Sequence, residues 1–224
     1  EINGLYSLKN GGYLVIAKKG IFYKNNHSSV FRKVFSIPRG SRPLNLCELP
    51  NGHIYWGEYF ANIGKEAVHV YVSIDGGLTW KIAYTFSEGN INHIHGLFWD
   101  EFTNRLWFCT GDRENECIIG YTEDEFKTIV EVFRGNQEYR SCQLFFYEHF
   151  VVFATDSQYV QNEIKMFARD SMQINSLVKI QGTAIKGGQL GNISFLSTTV
   201  EPSEMNKDRY SHLWITDDGI SWRE

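Results

Sequence analysis

Ser73 to Trp80 reads SIDGGLTW. A hydroxyl, an aspartate and two glycines in five residues are turn chemistry. The short acidic side chain caps the loop's own amides, and glycine supplies positive φ. The closing tryptophan is a large anchor able to pack back against neighbouring strands. Aligned on the third position, related windows occur at KNNHSSVF (24–31), TEDEFKTI (122–129), ARDSMQIN (168–175) and ITDDGISW (215–222). The last of these keeps Asp217, Gly219, Ser221 and Trp222, and TEDEFKTI keeps Asp124 and Thr128. The third positions are Asn26, Asp75, Asp124, Asp170 and Asp217, at steps of 49, 49, 46 and 47 residues. A constant step of that size indicates a structural repeat.

Strands fill each period. The second repeat reads RPLNLCELP, GHIYWGEYF, AVHVYVSI and TWKIAYTF; the third reads NHIHGLFWD, RLWFCTGD, ECIIGYT and KTIVEVF. Pro50-Asn51-Gly52 and Asp75-Gly76-Gly77 punctuate them, and no long stretch shows a 3.6-residue apolar period. Four short antiparallel strands per roughly 45 residues predict an all-β fold, a β-propeller of four-stranded blades. The aligned windows then fall between the third and fourth strands of each blade and are scaffold. The 224 residues are read as a single propeller domain with blades at about 1–38, 39–88, 89–136, 137–181 and 182–224. Five blades either close a ring here or belong to a six- or seven-blade parent, and the break at SWRE favours the longer parent.

The repeated D-x-G-x-S/T-W pattern, carried by SIDGGLTW and ITDDGISW, resembles the Asp-box (BNR) repeat of sialidase-like β-propellers. That resemblance implies a turn remote from the active site, a carbohydrate ligand, and an extracellular or periplasmic setting. Sialidases also carry an early Phe-Arg-Ile-Pro motif and an arginine triad. The nearest string here is Phe35-Ser36-Ile37-Pro38, with serine in place of arginine, and although Arg39, Arg42 and Arg140 offer guanidinium groups, no triad is assignable. Sialidase chemistry itself is therefore not expected.

Function has to be sought in side chains grafted onto the fold. Starts of the first strands of four blades supply Arg42, His93 with His95, Arg140 and Lys186; ends of the second strands supply Glu58, Asp112, Asp156 and Glu201. The offsets from base to acid are 16, 17, 16 and 15 residues, counted from Arg42, His95, Arg140 and Lys186. Propeller geometry puts both sets on one rim. The rim reads either as a grip for an acidic glycan or as a ring of structural ion pairs. Arginine forks match carboxylates, imidazoles move protons near neutral pH, and aromatic rings such as Tyr59 and Tyr139 stack on sugars. As catalytic candidates these considerations select His93, His95, Arg140, Tyr139 and Asp112, with Arg42, Glu58, Tyr59, Asp156 and Lys186 as ligand contacts. The chemistry would be that of a glycoside hydrolase or, by similarity in His/Arg/Tyr inventory, a propeller-type polysaccharide lyase. The alternative is a non-catalytic module that binds glycan or protein.

A net charge of −4 gives no basic field for nucleic acid, and no apolar run approaches the ~20 residues of a membrane helix. Cys47, Cys109, Cys117 and Cys142 form no CxxC pair. Buried free thiols are expected, with Cys109 and Cys117 able to face each other across a hairpin, and no metal or cofactor is expected.

Overall fold

The computed structural model describes residues 1–224. Its strands form five antiparallel sheets, the blades of a β-propeller. The first sheet is β1 (Ile2–Ser7), β2 (Tyr13–Ala17), β3 (Gly20–Lys24) and β4 (Arg32–Ser36). The second is β5 (Cys47–Glu48), β6 (Ile54–Gly57), β7 (Val68–Ser73) and β8 (Lys81–Phe86). The third is β9 (His93–Asp100), β10 (Arg105–Gly111), β11 (Ile118–Thr122) and β12 (Val130–Arg134), and the fourth is β13 (Ser141–Phe146), β14 (Phe150–Thr155), β15 (Glu163–Ala168) and β16 (Ile174–Lys179). The fifth has three strands, β17 (Thr183–Leu190), β18 (Ile193–Thr199) and β19 (Leu213–Thr216), and a single bridge between Ile215 and Arg223 stands in for its outer strand.

The chain divides into two compact units. One comprises 1–99, 106–108 and 121–130; the other comprises 100–105, 109–120 and 131–224. In the first unit the core is built from alternate residues of the strands, as the two-residue period of a pleated sheet requires. Leu14 and Ile16 of β2 point inward with Ile54 and Trp56 of β6. The Trp56 and Tyr71 rings stack at 4.3 Å and 11°. In the second unit Phe145, Val152, Ile164, Leu196 and Trp214 do the same for the fourth and fifth sheets.

The SIDGGLTW turn joins β7 to β8. Asp75 Oδ1 accepts from the amides of Leu78 (3.1 Å) and Thr79 (2.9 Å) and from the Ser73 hydroxyl (2.7 Å), while the Thr79 hydroxyl donates to Oδ2 (2.6 Å). Gly77 has φ 95°, and a Cβ there would lie 3.0 Å from both methyl carbons of Leu14, so glycine serves both the conformation and the close packing on the first sheet. Trp80 is half-buried. It packs against Phe35 and Trp56, with ring centroids 6.4 Å away in each case, and so bridges two sheets as a partly exposed cover.

The β11–β12 turn repeats the network without glycine. Asp124 takes the Thr122 hydroxyl (2.9 Å), the Thr128 amide (2.9 Å) and the Thr128 hydroxyl (2.8 Å). Glu125 and Phe126 adopt the positive φ that glycines adopt in the earlier turn, 59° and 67°.

In the last turn the alignment through Asp217 is corrected by one residue. Asp218 receives the Thr216 hydroxyl (2.9 Å) and the amides of Ile220 and Ser221 (2.7 Å each). The hydroxyl two residues before the aspartate, rather than the tryptophan after it, marks the register. In the first turn it is likewise Asn25, not Asn26, whose Oδ1 accepts a loop amide, that of His27 (3.1 Å).

All four cysteines are buried and none forms a disulfide. Burial pushes the Cys47 and Cys117 thiols up to about 12, and it raises Cys109 and Cys142 as well, the latter also facing the Asp156 carboxylate.

Candidate functional site

In the first unit the loop after β6 and the start of β9 are joined by their backbones: the Ile94 amide donates to the Glu58 carbonyl at 2.9 Å. Gly57 permits this approach, since a Cβ there would meet Ile94 Cγ2 at 2.4 Å. The junction brings Tyr59 and Phe60 to His93 and His95, which leave the same side of β9. The Tyr59 ring lies 4.3 Å from that of His93 and 6.3 Å from that of His95. His93 Nδ1 lies 2.9 Å from the Phe60 carbonyl oxygen, and His93 Nε2 lies 3.1 Å from His95 Nε2.

A hydrogen bond to that carbonyl requires a hydrogen on His93 Nδ1, which in a neutral ring makes Nε2 an acceptor from His95 Nε2–H. The Asn92 side-chain amide also lies 3.3 Å from His93 Nδ1. Both imidazoles are buried, His93 6% and His95 2% exposed, and Tyr59 is half-buried above them.

The other first-unit candidates are committed elsewhere. The Glu58 carboxylate is fully buried and held by a two-pronged grip from Arg39, through Nε at 3.0 Å and through Nη2. The His69 amide adds a third donor at 2.9 Å. Arg39 also donates to the Ala67 carbonyl at 2.7 Å and lies 4.5 Å above the Phe60 ring. Glu58 is thus a structural acceptor rather than a free ligand contact. Arg42 lies five residues before β5, not at the start of a strand, because β5 is only two residues long. Its guanidinium donates to Asn3 Oδ1 at 2.8 Å.

In the second unit Arg140, Asp112 and Asp156 come together. Arg140 immediately precedes β13, and the two aspartates immediately follow β10 and β14. Arg140 Nη2 lies 3.0 Å from Asp112 Oδ1, and Nε lies 3.5 Å from Asp156 Oδ2. The Asp156 amide donates to the Arg140 carbonyl at 2.9 Å, and Cys142 Sγ–H donates to Asp156 Oδ2 at 3.3 Å. Arg140 and Asp156 are buried, so this is one cation flanked by two carboxylates in a low-dielectric setting. Burial alone would lower the Arg140 pKa; the Asp156 and Asp112 charges outweigh it and hold the guanidinium charged. Sequence reading missed Gln137, whose buried amide donates to the Asp112 carbonyl (2.7 Å) and accepts from Ser157 Oγ (2.8 Å). Nothing in a lone glutamine announces that role.

Tyr139 stacks on Phe133 at 5.3 Å and 29°. Lys186 sits in mid-β17, not at its start, and is exposed. Glu201 accepts from Gln158 (2.7 Å) and Thr183 (3.1 Å).

No protein-family model matches the chain, and no curated protein matches it. Among solved structures it is similar to a protein in a nidogen/laminin complex (12% identity, TM-score 0.62, 87% of this chain and 71% of that one). It is also similar to an ancestral GH74 enzyme (12%, 0.66, 96% and 30%) and to the GH74 xyloglucanase of Xanthomonas campestris (12%, 0.64, 95% and 36%). The chain spans about a third of each of those two enzymes. At that identity the likeness is one of propeller fold. No helix is long and apolar enough to cross a membrane.

Proposed function

We propose that the protein is a sialidase-like Asp-box propeller that binds an acidic saccharide through His93, His95 and Tyr59. The observation that carries the reading is the 3.1 Å contact between the two Nε2 atoms, beneath a partly exposed tyrosine. An imidazole N–H is a donor suited to the oxygens of a sugar carboxylate. The Tyr59 ring offers a face for a sugar ring and a phenol for its hydroxyls.

Binding is preferred to hydrolysis or elimination because the acids those reactions need are engaged. Glu58 holds Arg39, and Asp112 and Asp156 hold Arg140. The glycan-acting propellers of like fold support a carbohydrate ligand, and an extracellular or periplasmic setting is part of the same proposal.

The test is an oligosaccharide panel of sialylated, uronate-containing and neutral xyloglucan chains. Wild-type protein binds the acidic members, whereas His95→Ala and Tyr59→Ala lose that binding and Arg42→Ala keeps it. Binding of xyloglucan alone would overturn the acidic assignment, and unchanged binding by His95→Ala would overturn the site.

A further inference from the structure

A second concave surface lies in the first unit, away from the imidazoles and built on the outer strands of the first sheet. It is a cavity of about 400 Å³ lined by Tyr23, Lys24, Ser28, Val30, Arg32 and Leu78, among others. That is within the range of small-ligand sites. Leu78 belongs to the SIDGGLTW turn and is 47% exposed, so one side chain of an otherwise structural loop faces the opening.

Two cations line this cavity and neither forms an ion pair. Lys24 is half-buried and Arg32 exposed. Several buried or half-buried cations elsewhere are matched: Arg39 by Glu58, Arg140 by Asp112, Lys165 by Glu138 and Glu163, and Arg169 by Asp100. Lys24 is instead held by aromatic faces, its ammonium 5.2 Å from the Tyr13 ring centroid and 5.7 Å from that of Phe31. Contacts within about 6 Å orient a cation without neutralising it. Arg32 pairs with Tyr23 across the β3–β4 ladder. The register of that ladder shifts between Ile21 and Phe22, which leaves Val34 as the extra residue of β4. Such a bulge bends an edge strand and re-aims its side chains. The surrounding surface is partly apolar: Val30 is 60% exposed and Phe31 38%.

An oriented lysine and an arginine outside any ion pair, beside exposed aromatic and aliphatic surface, are a receptor for an anion with a non-polar body. We infer that this cavity binds a carboxylate or sulfate group carried on a saccharide ring, with Lys24 and Arg32 contacting the oxyanion and Leu78 and Val30 the ring. The saccharide part rests on the proposed function; the oxyanion part does not.

Calorimetric titration tests it with three probes: trigalacturonate, a sulfated disaccharide and inorganic sulfate. The proteins are wild type, Arg32→Gln, Lys24→Gln and His95→Ala. Wild type binds an acidic oligosaccharide at two sites, and each variant retains one. Arg32→Gln and Lys24→Gln lose at least tenfold in affinity at the cavity with unchanged melting temperature, since neither side chain holds a carboxylate. The preference between the uronate and the sulfated probe identifies the oxyanion. Binding of inorganic sulfate that depends on Arg32, without oligosaccharide binding, would keep the anion site and overturn its saccharide assignment. Wild-type stoichiometry in Arg32→Gln and Lys24→Gln, with loss only in His95→Ala, would overturn this inference and leave the imidazole site standing.

Discussion

Glu125 and Gly76 occupy the same position of successive turns and share a left-handed backbone, with φ 59° and 71°. For a non-glycine residue that conformation costs roughly 1–2 kcal/mol. The side chain of Glu125 offsets it, accepting from Tyr55 Oη (2.8 Å), His53 Nδ1 (2.7 Å) and Asn51 Nδ2 (2.9 Å). Tyr55 is buried, so losing its acceptor strands a hydroxyl at about 1–3 kcal/mol. Glu125→Gly is therefore expected to destabilise by about 1–2 kcal/mol in urea unfolding. In a Tyr55→Phe background, with no hydroxyl to strand, the same change is expected to be near neutral. Equal effects in both backgrounds would refute the compensation.

The turn aspartates predict the acid limit of stability. Burial works to raise Asp75, but donors from Thr79, Ser73 and Leu78 bring it below 3.8; the Thr128 amide lowers Asp124 and the Ser221 amide lowers Asp218. A carboxyl that is more acidic folded than unfolded stabilises above its unfolded pKa, and that stability is lost as pH falls through the folded value. Urea midpoints should accordingly drop below about pH 4, and less steeply in Asp124→Asn. His212 acts at the other end. Glu224 first, then Asp208, raises it above 6.5, so its contribution is complete below 6.5 and is lost as pH rises through the raised value. His212→Gln should flatten that arm of the profile.

Arg140→Ala separates a structural from a ligand role for the second-unit cluster. Removing the guanidinium leaves Asp156 buried beside Asp112, and breaking a buried pair in this way costs about 3–5 kcal/mol. Calorimetry should show a large fall in melting temperature, recovered in part by Asp112→Asn with Asp156→Asn. A variant of wild-type stability that has lost glycan binding would move Arg140 into the binding surface.

Trp56 and Trp80 rank in the opposite order from their prominence in the sequence. Trp56 is fully buried and stacked on Tyr71, whereas Trp80 covers the same cluster from its edge. Trp56→Ala is expected to cost about 3–5 kcal/mol. Trp80→Ala should cost clearly less, with acidic-glycan binding by the folded protein intact. A larger loss at Trp80 would contradict the packing.

The propeller was legible because turn chemistry repeats at a fixed step, and repetition averages out local noise. What failed was fine alignment. Counting from Trp222 pointed to Asp217, whereas hydrogen bonding selects Asp218 two residues after a hydroxyl. TEDEFKTI lacks the glycine and the tryptophan of SIDGGLTW, yet its network matches, because the cost of a left-handed glutamate is met by residues some 70 positions away. The candidate site divides on similar lines. His93 and His95 share one side of a strand by the period of the pleat, which sequence alone provides. That Glu58 belongs to Arg39 and not to a ligand depends on how a loop folds back, and a count of residues from base to acid carries no such information.

The buried thiols make the molecule its own reporter of opening. Alkylating reagents attack thiolates, and burial keeps all four cysteines protonated and covered in the folded chain. Cys47 lies in β5, Cys109 in β10, Cys117 just before β11 and Cys142 in β13, so three successive sheets each carry a tag that only an opening motion uncovers. Brief exposure to iodoacetamide followed by peptide mass mapping would order those openings sheet by sheet: simultaneous labelling would mean that the blades come apart together, and staggered labelling that they peel away in sequence.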